Sequence, residues 1–299
     1  MCKISVIIPT YGEPKYLEKA IESVIAQTFR DWKLIVVDDN NPNTVYRDKT
    51  KDILNKYKNY PNIEYIQHEK NKNGAAARNT GLQYIDSKYV AFLDSDDEYL
   101  PTRLEECYQI LETNSDFKYA GVYTGCEFRR NGKKYSRYIN VESGNFILNV
   151  LACNFMFCTG SNIFMKTEVV RKLNGFDESF VRHQDYEFLV RYFEKYELIG
   201  IKKVLVIKNN DNLNAPNVEK AIAIKRQYIN KYKGIIDKLD KNYIYNCQCI
   251  QLGELALSEG KYKFSKSCYT QAKKYGKITL LQNLRRVLLF IKNYKNRKK

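Results

Sequence analysis

The amino-acid sequence predicts an α/β protein with a doubly wound, mostly parallel sheet, followed by an all-helical C-terminal region. Three observations support this fold class. Short apolar runs typical of buried strands alternate with helical segments over the first two thirds of the chain. Two of these runs end directly in acidic residues. The strand pattern then stops, and the remaining third is strongly basic.

The alternation can be followed element by element from the N-terminus. Buried strands are predicted at residues 4–8, 33–37, 62–67 and 89–93, with helices at 13–26, 48–57 and 74–85. The Asn131-Gly132 pair predicts a tight turn within a hairpin at residues 119–138. Farther on, the pattern predicts helices at 146–156, 167–173 and 185–196, and strands at 160–165 and 200–207.

A polar, proline-containing segment at residues 209–217 marks a boundary. We therefore predict a first domain at residues 1–208 and a helical region at residues 209–299. Residues 245–275 partly match a tetratricopeptide-type helix pair, but a single copy favours a plain helical hairpin.

The C-terminal tail, residues 279–299, is predicted to be a basic amphipathic helix. Its apolar face comprises Leu281, Leu284, Leu288 and Ile291. Three interpretations stay open: contact with a membrane surface, packing on the rest of the chain, and a dimer contact.

Charge is unevenly distributed along the chain. The net charge is +16, and residues 200–299 hold 23 Lys and Arg against 6 Asp and Glu. The first 199 residues hold 27 basic and 28 acidic residues, which leaves them almost neutral. This asymmetry indicates a polyanionic partner, either nucleic acid or an anionic membrane surface. The alternative is a solvated, lysine-rich helical tail.

The thiols and the N-terminus indicate a cytosolic protein. The cysteines are Cys2, Cys107, Cys126, Cys153, Cys158, Cys247, Cys249 and Cys268. None forms a C-x-x-C pair, and the chain has only two histidines, which disfavours a zinc site. The first apolar run is too short for a signal peptide, and no apolar stretch reaches the roughly 20 residues of a membrane span. We therefore expect reduced thiols.

The acidic run Asp94-Ser95-Asp96-Asp97 follows the buried strand at residues 89–93. Carboxylates at this spacing can hold a divalent cation, which neutralises a diphosphate leaving group as a Lewis acid. The alternative, a solvated acidic loop, explains poorly why the run directly follows a buried strand. Asp94 and Asp96, one residue apart, can reach the metal and the adjacent ribose, and we expect Asp97 only to orient the loop.

Asp38 and Asp39 end the strand at residues 33–37 in the same way. A carboxylate there can accept the N–H of a pyrimidine base, and the alternative is an Asx-type cap. Arg78 lies in the small-residue segment GAAARNTG at a predicted helix start. It can face a phosphate or hold an aspartate, and the alternative is a structural salt bridge.

Asp185 lies near the start of the predicted helix at residues 185–196. A hydroxyl that attacks an anomeric carbon needs a carboxylate base within hydrogen-bond reach, and Asp185 is a candidate for that base. The alternative is a simple helix N-cap.

Six segments, taken in order, resemble glycosyltransferase family 2, which has the GT-A fold. They cover roughly residues 3–195 and read SVIIPTYGE, KLIVVDDNN, NGAAARNTGL, YVAFLDSDDEYLP, TGSNIFMKTEVVRKLNGFDESF and RHQDYEFLVRY. The C-terminal third lies outside the resemblance.

The resemblance implies a role for each matching position. Pro9, Thr10 and Tyr11 would line the nucleotide pocket, Asp39 would bind the base, Arg78 would lie near the base or diphosphate, Asp94 would contact the ribose or sugar, Asp96 would bind the metal, and Asp185 would be the general base. Glu13 and Ser95 join the donor-binding set. Where the family often has Asn and a basic residue, this chain has Gly12-Glu13, so the donor contacts of that loop stay open.

The resemblance thus implies an inverting, metal-dependent enzyme that uses Mn²⁺ or Mg²⁺ and a nucleotide-sugar donor. UDP is the preferred carrier, and a hexose or N-acetylhexosamine would pass to a glycan acceptor, such as a polyprenyl-diphosphate-linked precursor of a cell-surface polysaccharide. The basic tail would place the enzyme peripherally on the inner face of the cell membrane.

Two other functions are weighed against transfer. A nucleic-acid-binding module would use the basic C-terminal region but leaves the acidic strand ends unexplained. A non-catalytic sugar-binding or scaffold protein would not need the carboxylates at Asp39, Asp94, Asp96 and Asp185.

Overall fold

The chain forms two compact units. The computed structural model describes residues 2–155, 160–211 and 216–296, with side chains as far as residue 291. The first unit comprises residues 1–145 and 156–213, and the second comprises residues 146–155 and 214–299. Residues 146–155 precede the predicted boundary at residue 208, yet they belong to the second unit.

Strands and helices alternate through the first unit. The strands are β1 (Ile4–Thr10), β2 (Trp32–Asp38), β3 (Ile63–Gln67), β4 (Tyr89–Phe92), β5 (Asp97–Tyr99), β6 (Tyr119–Arg130), β7 (Lys133–Tyr138), β8 (Phe164–Lys166) and β9 (Glu197–Asn209). The first-unit helices are α1 (Leu17–Ile25), α2 (Val45–Asn55), α3 (Gly74–Gln83), α4 (Arg103–Thr113), α6 (Thr167–Lys172) and α7 (Gln184–Phe193). The second-unit helices are α5 (Ile147–Leu151), α8 (Val218–Ile236), α9 (Lys241–Ser258), α10 (Tyr262–Tyr275) and α11 (Leu280–Asn296).

One sheet joins the nine strands of the described residues, in the order β3-β2-β1-β4-β8-β6-β9-β5, with β7 paired to β6. Strands β3, β2, β1 and β4 are mutually parallel, which confirms the predicted α/β core. Strand β8 runs antiparallel to β4 and β6, while β9 is parallel to β6 and antiparallel to β5. Because β1, β2 and β4 are parallel, their carboxyl ends lie at one edge of the sheet.

The centre of the core lies around β1, which is apolar on both faces. Val6 and Ile7 point to opposite faces, and both are fully buried. Helix α1 contributes Leu17 and Val24 to the core. Helix α3 approaches β1 closely at Gly81, where a Cβ atom would lie 2.5 Å from Ile7 Cγ2. The small residues of α3 therefore allow the close contact with β1 that places Arg78 near the carboxyl edge of the parallel strands.

The structure differs from the prediction in two regions of the first unit. The sequence pattern predicts no element between residues 94 and 118, where β5 and α4 lie. Strand β5 has only three residues, two of them acidic, so it carries no strand pattern of its own. Residues 160–162 form a 3₁₀ turn, so the predicted strand at 160–165 begins too early, and the strand present there is the shorter β8. Ser161 and Asn162 are both fully buried, whereas a half-buried strand would alternate.

The second unit is helical, as predicted. Helices α9 and α10 form a hairpin in which Gly253 gives room to the Tyr269 ring, since a Cβ atom would lie 3.0 Å from Tyr269 Cε2. The predicted helix at 146–156 is limited to α5, and Met156 lies outside the described residues. None of the described helices combines the length and apolar character that crossing a membrane requires.

Helix α11 contacts α9 but leaves much of its apolar surface uncovered. Its exposed apolar side chains, between 44% and 77% accessible, are Leu280, Leu281, Leu284, Val287, Leu288, Phe290 and Ile291. This set contains all four residues of the predicted apolar face. Among the thiols, seven lie within the described residues and form no disulfide there, and Cys158 lies outside them.

Candidate active site

The carboxylates that follow β4 form a compact cluster. Oxygen atoms of Asp94, Asp96 and Asp97 lie within 4.8 Å of one another. The cluster stands at the carboxyl edge of the parallel strands, where α/β sheets bind their ligands. It fulfils the prediction that the acidic run is a structured feature rather than a solvated loop.

Asp97 holds this loop in place. Its carboxylate is fully buried and accepts hydrogen bonds from Ser161 Oγ (2.6 Å) and Asn209 N (3.1 Å). The Lys208 ammonium lies 3.2 Å from Oδ2, the same oxygen that accepts from Ser161 Oγ. Burial raises the pKa of Asp97 to about 7, against the opposing effect of the Lys208 charge. Because both of its oxygens already have partners, Asp97 fixes the position of the loop, which is the orienting role expected of it.

Asp96 is the most available carboxylate of the cluster. It is half-buried, and no described side chain donates a hydrogen bond to its carboxylate. Burial raises its pKa, and Lys208 lowers it. Several carboxylate oxygens within a few ångströms suit a hard divalent cation such as Mg²⁺ or Mn²⁺. The residues therefore fit the metal that the sequence predicts, with Asp96 and Asp94 as its candidate ligands.

Arg78 connects three elements at this edge. Its Nη2 lies 2.5 Å from Asp94 Oδ1, and its Nη1 donates to Gln184 Oε1 at 3.1 Å. Gln184 begins α7, so the Arg78 guanidinium links its own helix, α3, to the loop after β4 and to α7. The salt bridge that the sequence analysis left as an alternative is therefore present, and it lies inside the candidate site.

Asp185 is half-buried at the second position of α7. The interpretation of Asp185 as the helix N-cap is wrong, because the cap is His183, which has a left-handed backbone (φ 59°). Asp185 Oδ1 accepts a hydrogen bond from Tyr186 N at 3.0 Å. Burial and the negative charge of Asp94 raise the pKa of Asp185, and Arg78 opposes them. The negative charge of the aspartate cluster thus contributes to the raised pKa of the candidate base.

Asp39 lies at the end of β2 and is almost fully buried. It accepts four hydrogen bonds of 2.7–2.8 Å, from His68 Nδ1, Asn71 Nδ2 and the backbone N–H groups of Lys72 and Asn73. A carboxylate offers about four such positions, so all are in use. Asp39 therefore organises the segment that leads into α3. A base N–H could reach this carboxylate only by replacing one of these donors.

The loop after β1 carries the other predicted donor-binding residues. Thr10 O accepts from Asp39 N (2.9 Å), while Thr10 Oγ1 is buried without a hydrogen-bond partner among the described residues. Tyr11 is 64% exposed, Pro9 is half-buried, and Glu13 pairs with Lys49 at 2.7 Å. The ion pair engages Glu13 where the family often has a basic residue. Ser95, also predicted here, is half-buried between Asp94 and Asp96.

Sequence reasoning missed three residues that complete the cluster. Lys208 and Asn209 come from the end of β9, and Ser161 comes from the turn before β8. Asn209 Nδ2 also donates to Asp96 O at 2.9 Å. The two β9 residues lie more than 100 positions from the aspartates, and only the pairing of β5 with β9 brings them together. No local pattern signals that pairing, although Ser161 lies within one of the segments that resemble the family.

Comparison with known proteins shows the family of the chain. Residues 5–173, more than half of the chain, match the family model described as glycosyl transferase family 2. An uncharacterised glycosyltransferase of Methanocaldococcus jannaschii is 30% identical over 227 residues, 70% of this chain and 72% of that protein. The poly(ribitol-phosphate) beta-N-acetylglucosaminyltransferase TarP of Staphylococcus aureus is 28% identical over 257 residues, 83% of this chain and 75% of that protein.

A solved structure supports the fold. The crystal structure of residues 1–349 of S. aureus TarS in complex with UDP-GlcNAc aligns with a TM-score of 0.58 at 17% identity. The alignment covers 91% of this chain and 89% of that one. The chain belongs to glycosyl transferase family 2 and has the GT-A fold, followed by C-terminal helices.

Proposed function

We propose that the chain transfers a hexose or N-acetylhexosamine, with inversion, from a UDP-sugar to a glycan acceptor. The observation that carries this proposal is the convergence of Asp94, Asp96 and Asp185 around Arg78 at the carboxyl edge of the sheet. Asp94 and Asp96 would act on the sugar donor, and Asp185 would act on the acceptor. We assign this chemistry to the first unit.

Asp96 and Asp94 would hold a divalent cation, which would neutralise the charge that develops on the departing diphosphate. Lys208 and Arg78 already supply two positive charges beside these carboxylates. Both cations reach Asp94, so Asp96 keeps the greater freedom to bind a metal.

Asp185 would accept the proton of the attacking hydroxyl. Its raised pKa makes the carboxylate a stronger base than an exposed aspartate, and its place on a helix fixes its direction. A base with no enzyme nucleophile corresponds to a single in-line displacement, which inverts the anomeric centre. The reaction therefore needs no covalent enzyme intermediate.

The relatives narrow the first donors and acceptors to test. TarP is named as a poly(ribitol-phosphate) beta-N-acetylglucosaminyltransferase, and the TarS structure holds UDP-GlcNAc. We therefore propose UDP-GlcNAc as the first donor candidate. For the acceptor we propose a precursor of a cell-surface polysaccharide, carried on a polyprenyl diphosphate.

Thermal unfolding with a panel of nucleotide sugars tests the proposal. In the presence of Mn²⁺, a true donor at 100 times its Kd should stabilise the folded chain by about 2.7 kcal/mol, because it binds only the folded state. UDP-glucose, UDP-galactose and UDP-N-acetylgalactosamine complete the panel, with chelator as the matched condition. If no nucleotide sugar raises the melting temperature with or without metal, the proposed function is wrong.

We also propose that α11 attaches the enzyme reversibly to the inner face of the cell membrane. Arg285 pairs with Glu254 at 3.2 Å, and Arg286 lies over the Tyr269 ring, so both contact the helical unit. Leu281, Leu284 and Leu288 remain 53–77% exposed. An exposed apolar face on a basic helix suits the interface of an anionic bilayer.

Removal of residues 279–299 should abolish binding to anionic vesicles. Flotation with phosphatidylglycerol vesicles is the measurement, and neutral phosphatidylcholine vesicles are the control. Binding of the full chain should weaken as salt increases, because part of the attraction is electrostatic. Undiminished flotation of the truncated chain would exclude this role. A change from two chains per particle to one on truncation, measured by light scattering, would indicate a dimer contact instead.

A further inference from the structure

The hairpin of β6 and β7 presents a dense group of basic side chains. Residues 127–138, here called the basic hairpin, hold five basic residues and one acidic residue. The acidic residue, Glu127, is already paired with Arg129 (2.8 Å) and Lys134 (3.0 Å). Residues 130–137 are all exposed.

Three cations of the basic hairpin are left without an ion pair among the described residues, although one of them, Arg137, lies opposite Glu127 in the strand register. Arg130, Lys133 and Arg137 take part in no ion pair with any described residue. Arg130 is also preorganised, because its guanidinium lies 5.2 Å from the centre of the Tyr135 ring. A stacked guanidinium still presents donors at its edges, which suit phosphate and carboxylate groups.

The basic hairpin is fixed to the first unit rather than projecting freely. Asn131 N donates to Asp211 Oδ1 at 2.5 Å, and Asn210 Nδ2 donates to Tyr135 Oη at 2.6 Å. Asp211 in turn accepts from Lys15 Nζ at 3.2 Å. Cations held on a fixed strand pair lose less conformational entropy on binding than cations on a flexible loop.

Strand pairing places the basic hairpin three strands from the aspartate cluster in the same sheet. One row across the sheet runs from Asp97 through Lys208 and Phe128 to Ser136. Neighbouring strands are about 4.8 Å apart, so three steps place Ser136 roughly 14 Å from the aspartate row. A ligand that occupies both places must therefore be an extended chain.

We propose that the basic hairpin binds an acceptor chain that carries repeated phosphate or carboxylate groups and no stacking bases. This inference rests on the proposed transfer function, since the acceptor end of the chain would lie at Asp185 while farther units contact Arg130, Lys133 and Arg137. The donor diphosphate belongs to the aspartate cluster, so the basic hairpin serves a different ligand. Its charge complements a polymer with one anion in each repeat.

The surroundings of Tyr135 argue against single-stranded nucleic acid. Such ligands are held by aromatic rings on which bases stack. The Tyr135 ring is engaged by Arg130, and Phe128 lies 6.3 Å away between ring centres. The carboxylate cluster at the end of the same row would repel a polyanion that lacked a neutral reacting end.

The test compares polyanion binding by the full chain and by the variant Arg130→Gln/Lys133→Gln/Arg137→Gln. The probes are polyphosphate, polygalacturonate and a single-stranded RNA of matched charge, each measured by calorimetry over a range of salt without donor or metal. The full chain should bind polyphosphate or polygalacturonate more tightly than the RNA. The variant should bind at least about tenfold more weakly. The magnitude of the slope of log K against log salt should decrease by about 2, because fewer ionic contacts form and fewer counterions are released on binding.

A second triple variant, Lys51→Gln/Lys58→Gln/Lys195→Gln, removes the same charge from exposed positions elsewhere on the first unit. It should retain binding, which separates the basic hairpin from the overall charge of the chain. If the hairpin triple variant does not fold, the single variants Lys133→Gln and Arg137→Gln replace it, and each should show part of the loss of polyanion affinity. Equal losses in both triple variants, or preference for RNA, would overturn the proposal. Because the assay contains no nucleotide sugar, it is independent of the donor stabilisation that tests the transfer function.

Discussion

Asp185→Asn should lose turnover by about 10²- to 10⁴-fold while its donor affinity stays within a factor of two. The amide has the size of the carboxylate and can still accept the 3.0 Å hydrogen bond from Tyr186 N, so α7 should keep its start. It cannot accept a proton from the acceptor hydroxyl. The measurement is release of nucleoside diphosphate in the presence of acceptor, with donor affinity obtained by calorimetry.

Asp86→Asn is the matched control for this variant. Asp86 is exposed and precedes β4, whereas the aspartate cluster follows β4 at the other edge of the sheet. It makes the same change in charge and should keep wild-type turnover. Full activity of Asp185→Asn would remove Asp185 as the base. Loss of donor binding together with turnover would instead assign it to the donor side, through Arg78 and Gln184.

The parallel half of the fold and the acidic edge could be predicted because each depends on local pattern. The apolar runs at β1, β2 and β4 are buried on both faces, so they read as strands without knowledge of their partners. The carboxyl ends of parallel strands meet at one edge, so Asp39 and the cluster at Asp94 and Asp96 could be placed together from sequence.

The remaining part of the site depends on contacts distant in sequence. Strand β5 exists because Asp97, Glu98 and Tyr99 pair with β9, and the same pairing delivers Lys208 to the carboxylates. The hydrogen bonds that occupy Asp39 likewise come from the segment before α3. A motif specifies that a carboxylate is present, whereas its partners decide whether it is available. Asp96 and Asp97 are adjacent, yet of the two only Asp96 has no side-chain donor within the described part of the chain.

Asp96→Asn and Lys208→Met should change the affinity for Mn²⁺ in opposite directions. Loss of a partner that only orients a metal ligand usually costs 10- to 100-fold in affinity, so loss of the Asp96 ligand itself should cost at least about 100-fold. The Lys208 ammonium lies 3.2 Å from Asp97 and 3.9 Å from Asp94, where it competes with a metal for the same carboxylates. Cations a few ångströms apart repel strongly at this depth, so its removal should tighten binding by about tenfold.

Calorimetric titration of Mn²⁺ without donor measures both effects, and Lys203→Met is the control. Lys203 lies on β9 as well but is exposed and pairs with Glu106 at 2.9 Å, so its removal should leave Mn²⁺ affinity unchanged. Weaker binding in Lys208→Met would mean that the ammonium supports the geometry of the cluster rather than competing for it. Turnover that persists with chelator would exclude the metal altogether, and Lys208 and Arg78 would then be the cations that face the leaving diphosphate. The sign of the Lys208→Met effect thus decides whether Lys208 competes with a metal or supports its ligands, and the chelator experiment decides whether the two positive charges of the site replace a metal.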